Sequence, residues 1–335
     1  MNDMKKIGLT ALAGSLVAFS ANAAEMTVSG ATMLTYTSED TTEVTGNPFG
    51  MKTNLAFTAS GEVNGYNVSY MQVSVDQFAG MSSARLSVDM GDMGTLAFDQ
   101  GSGSGLATID DKTPTAAEEI WDGLDPAASS AGAQGLVGAA GSKGVFNYIN
   151  TFGGVTFNGA ARKGSGTNNA DGSSSGAGQS AWDFALTTDG SMLGVDGLAI
   201  GLGYGEAENG SETGTTYGDE EHMTAFANYS VGPVTFGYQM SYINSNVAGT
   251  DDREVGAWGL AFNVNENLSI SYGERDVVFK GAGLSADVTE KGDGIAVAYT
   301  MGSMKIAGNM NEVSDASGVA GSNDEMTEIA VSFAF

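Results

Sequence analysis

Apolar side chains recur at every second position along most of this chain, which lays them on one face of extended strands and sends polar or small residues to the other. The last ten residues, Met326 to Phe335, show the pattern well: Ile329, Val331, Phe333 and Phe335 share one face, and Glu328, Ala330, Ser332 and Ala334 share the other. In a soluble sandwich such a terminal strand would be a free apolar edge, whereas a closed barrel pairs it with the first strand and has no edge. Closure is the simpler expectation.

The alternation carries through the chain. Met26, Val28, Leu34 and Tyr36 open it, and Leu55, Phe57 and Ala59 return from the polar segment 38–50. Asn64-Gly65 predicts a two-residue hairpin, because both residue types tolerate positive φ. Tyr66, Val68 and Tyr70 run out towards Phe78, then Ala84, Leu86 and Val88 come back to a short turn at 91–94. Further short turns are expected at 152–154, 231–233, 265–267 and 302–303, with a longer turn around 189–197, opposite polar loops such as 163–180 and 206–221. The predicted fold is all-β: about sixteen antiparallel strands in a transmembrane barrel, with short turns at one end and long loops at the other.

Charge placement agrees with this register. Lys52, Arg85, Arg162, Arg253, Arg275 and Lys305 take the parity opposite the apolar face of their strands, which is the lumen side. Each would cost roughly 2–4 kcal/mol facing lipid at mid-depth. A soluble sandwich would hide its charges the same way, so parity supports the register more than the membrane. Lys143 cannot be assigned, since Val145 and Phe146 are both apolar.

Composition narrows the class. Among 335 residues there are 50 Gly, 4 Pro, no Cys, 13 Lys+Arg and 40 Asp+Glu, for a net charge of -27. No composition shift marks a linker, and beyond the N-terminus no apolar run approaches the ~20 residues of a transmembrane helix. Without cysteine there is no disulfide framework, thiolate metal site or cysteine nucleophile. The acidity argues against nucleic acid, since little could neutralise phosphates. At the N-terminus Lys5 and Lys6 precede an apolar stretch and the small-x-small site Ala21-Asn22-Ala23, so residues 1–23 read as a cleaved signal peptide and 24–335 as one barrel domain. The apolar core is short for an uncleaved anchor helix. Cleavage removes one acid, Asp3, and the two lysines, so the net charge moves from -27 to -28.

Residues 100–142 form the longest stretch without a strand pattern, and loops of that length inside a compact fold are usually functional. This one carries Asp110, Asp111, Glu118, Glu119, Asp122 and Asp125, and Thr115–Trp121 could form a short helix with Thr115 as N-cap and Glu118 at its third position. The segment GDMGTLAF, the long acidic loop and then KGVFNYINTFGGVTF follow in an order that resembles the Gram-negative general diffusion porins, closest in style to the α-proteobacterial ones. The terminal Phe with apolar residues at alternate positions before it resembles the last strand of outer-membrane barrels.

The resemblance implies a homotrimer in the bacterial outer membrane, in contact with its lipid and lipopolysaccharide. It implies that loop 100–142 folds into the lumen and constricts a water-filled pore for small hydrophilic solutes. The six loop carboxylates would form the acidic side of the constriction, and Lys52, Arg85 and Arg162 the basic side. Phe333 and Phe335 would signal to the barrel-assembly machinery. Basic residues are scarce here, which departs from a balanced constriction and points to a preference for cations. Alternatives are a substrate-selective nutrient channel, a non-transporting outer-membrane barrel or adhesin, and a secreted acidic surface-layer protein.

Other motifs carry less. Gly101-Ser102-Gly103-Ser104-Gly105 opens no helix or βαβ unit and reads as a flexible loop start. His222 is the only histidine, and its lumen parity disfavours a lipase site on the lipid-facing wall. No cofactor and no enzymatic activity are expected. Acidic loops could hold Ca²⁺ loosely, though no EF-hand spacing is present.

Overall fold

The structure, a computed structural model, describes residues 25–39, 47–75, 81–124, 135–141, 143–164, 180–209, 218–247, 252–280 and 287–335. The expected signal peptide, Asp125, Phe78 and most of the 163–180 loop lie outside the described residues.

Sixteen strands occur among the described residues: β1 (Glu25–Glu39), β2 (Phe49–Val63), β3 (Tyr66–Val75), β4 (Met81–Asp89), β5 (Thr95–Gln100), β6 (Lys143–Phe152), β7 (Val155–Arg162), β8 (Ala181–Asp189), β9 (Leu198–Ala207), β10 (Glu220–Val231), β11 (Val234–Asn244), β12 (Asp252–Asn263), β13 (Leu268–Lys280), β14 (Val288–Met301), β15 (Met304–Ser314) and β16 (Asp324–Ala334). Each pairs antiparallel with its neighbours in sequence, and β1 pairs with β16 to close the barrel. The seam runs from Ala31 opposite Ala334 to Glu39 opposite Met326. Past the strand end, Gly30 and Phe335 exchange backbone hydrogen bonds of 2.8 and 2.9 Å, so the terminal residue completes the seam.

Turn chemistry explains the short connections. Asn64 and Gly65 have φ of 52° and 85°, the two positive values that a tight hairpin turn requires. At the β8–β9 connection a 3-10 helix, Gly190–Leu193, is capped by the Asp189 carboxylate accepting from Ser191 N–H at 3.1 Å.

The outer wall is apolar. Leu34, Phe57, Leu86, Leu202, Met240, Ile295 and Ile329 all project outward and are exposed. An apolar band of this extent suits hydrocarbon and would be a liability in water. The inner wall is lined by small and polar side chains, among them Asn147, Asn158, Asp183, Gln239, Ser271 and Asn311, all buried because a loop lies on them. Arg275 also points inward, 1% exposed and paired with the fully buried Glu290.

Candidate functional site

Between β5 and β6, residues 101–124 and 135–141 lie inside the barrel along its inner wall. Its start is pinned. Asp99, at the end of β5 and 0% exposed, accepts hydrogen bonds from Ser102 N–H at 2.8 Å and from the Ser104 hydroxyl at 2.7 Å. Arg85 on β4 lies 3.8 Å from Asp99 and donates to the Gly103 carbonyl at 3.0 Å and to Asn147. The Gly- and Ser-rich opening is thus tied down on several sides, and residues Gly105–Ile109 form a 3-10 helix.

The next residues climb across successive strands, each held by an inward side chain. Gly105 N–H donates to Asn158 on β7 and Leu106 N–H to Asp183 on β8, both at 2.9 Å. Lys112 N–H donates to Gln239 on β11 at 2.6 Å, and Asn228 on β10 donates to the Lys112 carbonyl at 2.7 Å. Ala116 N–H reaches Ser271 on β13 at 2.8 Å, and Asn311 on β15 donates to the carbonyls of Glu119 and Asp122 at 3.1 and 2.8 Å. Trp121 stacks over the Arg275 guanidinium, 5.4 Å from ring centroid to Cζ. Leu124 ends this course against Val313, Ala316 and Met326. On the return leg Gly138 packs on the His222 imidazole, and Ala140 N–H donates to the second oxygen of Asp183 at 2.9 Å. Asp183 therefore clamps the outgoing and returning legs with one carboxylate.

Shape complements these bonds. Gly237, Gly259, Gly273 and Gly294 are register partners on four adjacent strands, forming a row across the inner wall. A Cβ at Gly237 or Gly259 would come within 2.4–2.5 Å of Pro114, and one at Gly273 or Gly294 within 3.2 or 3.0 Å of Ile120. The row is a groove in which the loop lies. Sequence reading passed over it, although the signal was available: glycine at the lumen parity of four successive strands.

The helix expected at 115–121 does not form. The Thr115 hydroxyl accepts from Ala117 N–H at 3.3 Å, as an N-cap would, and donates to the Glu118 carbonyl at 2.7 Å, but no helical turn follows it. Ser271 accepts from Ala116 N–H and Asn311 donates to the Glu119 carbonyl, which holds the backbone of this stretch against the wall. The wall therefore overrides local propensity, leaving only a turn in which Asp122 N–H meets the Glu119 carbonyl at 3.0 Å.

Five of the six expected acidic residues, Asp110, Asp111, Glu118, Glu119 and Asp122, lie on this segment; Asp125 is outside the described residues. Asp110 and Asp111 flank Gly135, where a Cβ would stand 2.8 and 3.1 Å from their carboxylates. Burial in the occupied lumen, followed by the charge and hydrogen bond of Asp110, pushes the Asp111 carboxyl up to about 7. Burial likewise raises Asp110 and Glu119 above the usual carboxylate range. Lys112, which sequence reading did not single out, acts electrostatically on both aspartates from within the loop.

The three expected basic residues are not alike. Lys52 on β2 is exposed on the inner wall. Arg85 is engaged with Asp99, Asn147 and the loop carbonyl and serves as an anchor for the loop start. Arg162, at the end of β7, lies beside Gly141 and within electrostatic reach of Asp183. His222 is 3% exposed and 2.9 Å from Glu220, beneath the returning leg and away from the outer wall. Among the described residues no three acidic or imidazole side chains converge as metal ligands. Phe333 and Phe335 face outward at the seam, Phe335 being 67% exposed.

Comparison with known proteins gives a consistent result. Residues 8–335 match the family model described as Gram-negative porin. No curated protein matches the chain by sequence. Several solved structures share its fold. An anion-selective porin from Comamonas acidovorans is 13% identical with a TM-score of 0.64, covering 93% of this chain and 100% of that one. OmpT of Vibrio cholerae in its trimer form is 11% identical with a TM-score of 0.65, covering 93% and 100%. OmpF of Salmonella typhi, in complex with daunomycin, is 13% identical with a TM-score of 0.65, covering 94% and 99%.

Proposed function

The chain belongs to the Gram-negative porin family, and from that membership we propose that this outer-membrane barrel is a cation-preferring channel for passive diffusion of small hydrophilic solutes. Residues 100–142 act as its constriction. One observation carries the reading: five carboxylates lie on a loop bound to the inner wall, while two of the three candidate basic residues sit at the loop's ends, Arg85 paired with Asp99 and Arg162 beside Asp183. Lys52 and Lys112 are the basic groups that act on the carboxylate cluster and the wall beside it. One sign of fixed charge in a narrow, low-dielectric passage raises the local concentration of counter-ions.

The proposed mature protein begins after residue 23, forms a homotrimer as OmpT of Vibrio cholerae does in its trimer form, and contacts lipopolysaccharide at its acidic loops. No chemistry is assigned to it. The test is reversal potential under a KCl gradient in planar bilayers. Wild type should favour K⁺, and changing Asp110, Asp111, Glu118, Glu119, Asp122 and Asp125 to their amides should shift the ratio towards Cl⁻. Anion preference in wild type, or no shift in the amide variant, would refute the carboxylates' role. Absence of ohmic current would refute the channel.

A further inference from the structure

The loop carboxylates do not stand alone. Glu328, on β16, points into the lumen with the parity of Met326 and Ala330, both buried. Its register partners are Thr37 on β1 and Asn309 on β15, and the Thr37 hydroxyl donates to Glu328 Oε2 at 3.2 Å. The next inward position on β15, Asn311, holds the loop carbonyls of Glu119 and Asp122. Glu328 therefore lies one inward step along the wall from the loop's acidic turn, on the periplasmic side. Its carboxylate is within electrostatic reach of Glu118 and Asp122 on the loop and of Lys52 on β2.

We infer that Glu328 is a selectivity-determining residue: a wall carboxylate that continues the loop's acidic row below the constriction and offsets the charge of Lys52. This rests on the cation-channel reading and deepens it. An ion leaving the Glu118–Asp122 turn would meet a second negative group before the periplasmic mouth. Lys52, the exposed basic residue expected to oppose the loop, would be compensated locally. Were an ion to pass about 7 Å from one carboxylate, screening by 0.1 M salt would leave a change of about threefold in the cation-to-anion ratio. At 1 M, where the Debye length is about 3 Å, the same charge should hardly register.

The experiment is reversal potential with KCl near 0.1 M and again near 1 M. Glu328→Gln keeps the shape and an acceptor for Thr37. It should lower the K⁺/Cl⁻ permeability ratio about threefold at low salt and hardly at high salt. Glu328→Asp should retain the wild-type ratio, and Lys52→Met should raise it. The double variant Glu328→Gln with Lys52→Met should return close to wild type, because the two charges cancel. Thr37→Val removes the hydrogen bond without the charge and should leave the ratio unchanged; a shift as large as that of Glu328→Gln would make Glu328 a structural residue and overturn the inference. A wild-type ratio in Glu328→Gln while Asp122→Asn shifts it would also overturn the inference, leaving the loop reading intact. A ratio indifferent to both substitutions would refute both.

Discussion

Replacing Gly259 by alanine tests whether the shape of the wall sets the course of the constriction loop. A Cβ at this position would stand 2.5 Å from the Pro114 carbonyl oxygen and 3.2 Å from Pro114 N. Carbon–oxygen contacts settle at about 3.3 Å or more, so loop and wall must separate by about 0.8 Å. Gly259 is held in the ladder by Gly237 on one side and Gly273 on the other, so the loop is the part that yields. Two residues either side of Pro114, the loop is tied by Lys112 N–H to Gln239 and by Ala116 N–H to Ser271. Stretching these two bonds at about 0.5–1.5 kcal/mol each, together with overpacking of about 1–3 kcal/mol, costs the seated loop about 2–6 kcal/mol. At the lower figure the displaced population rises about thirtyfold. The strand ladders are untouched. Purified protein should therefore keep its heat-modifiable migration, while tryptic cleavage after Lys112 accelerates and single-channel conductance broadens. Gly61→Ala is the control, since no atom lies within 4 Å of a Cβ there. Wild-type cleavage and conductance in Gly259→Ala would refute the groove as the loop's guide.

Asp183→Asn leaves one carbonyl oxygen to serve the two amides of Leu106 and Ala140, which now share a carboxylate; hydrogen exchange of segments 103–109 and 136–141 should speed up at least tenfold, as loss of about 1.5–3 kcal/mol in one charge-assisted bond implies, and unchanged exchange would exclude the clamp. Asp111, pushed up to about 7, is neutral at pH 5 and largely ionised at pH 8, so the K⁺/Cl⁻ ratio should rise across that window and flatten in Asp111→Asn; a ratio independent of pH would remove Asp111 from the ion path. Because folding raises this pKa, the group favours the seated loop below the ordinary carboxylate range and loses that contribution as pH rises through about 7, so tryptic cleavage after Lys112 should be slower at pH 6 than at pH 8.5 once corrected for trypsin's own pH profile. Deleting Phe335 removes both backbone bonds to Gly30 at the seam and should lower the yield of folded trimer in cells; undiminished assembly would count against Phe335 as an assembly signal.

The barrel was legible in the residues because its causes are local. Alternation with period two assigns each side chain to a wall within one strand, and Asn64-Gly65 or Gly302-Ser303 closes a hairpin through the φ values its own residues permit. The inward parity of Arg85 and Arg275 follows from the same rule, as does the acidity of the loop. What the loop does with that acidity depends on distant positions. Gly237, Gly259, Gly273 and Gly294 lie far apart in the chain and become a groove only when register aligns four strands. Arg85 is an anchor because β5 brings Asp99 beside it, and Thr115 caps no helix because Ser271, 156 residues away, lies next to it. Register and closure sum the lengths of all the turns between two such partners, a nonlocal quantity that no window of sequence contains. The strands are therefore written in the chain, whereas the path of the constriction and the company of its charges are decided by the closed barrel.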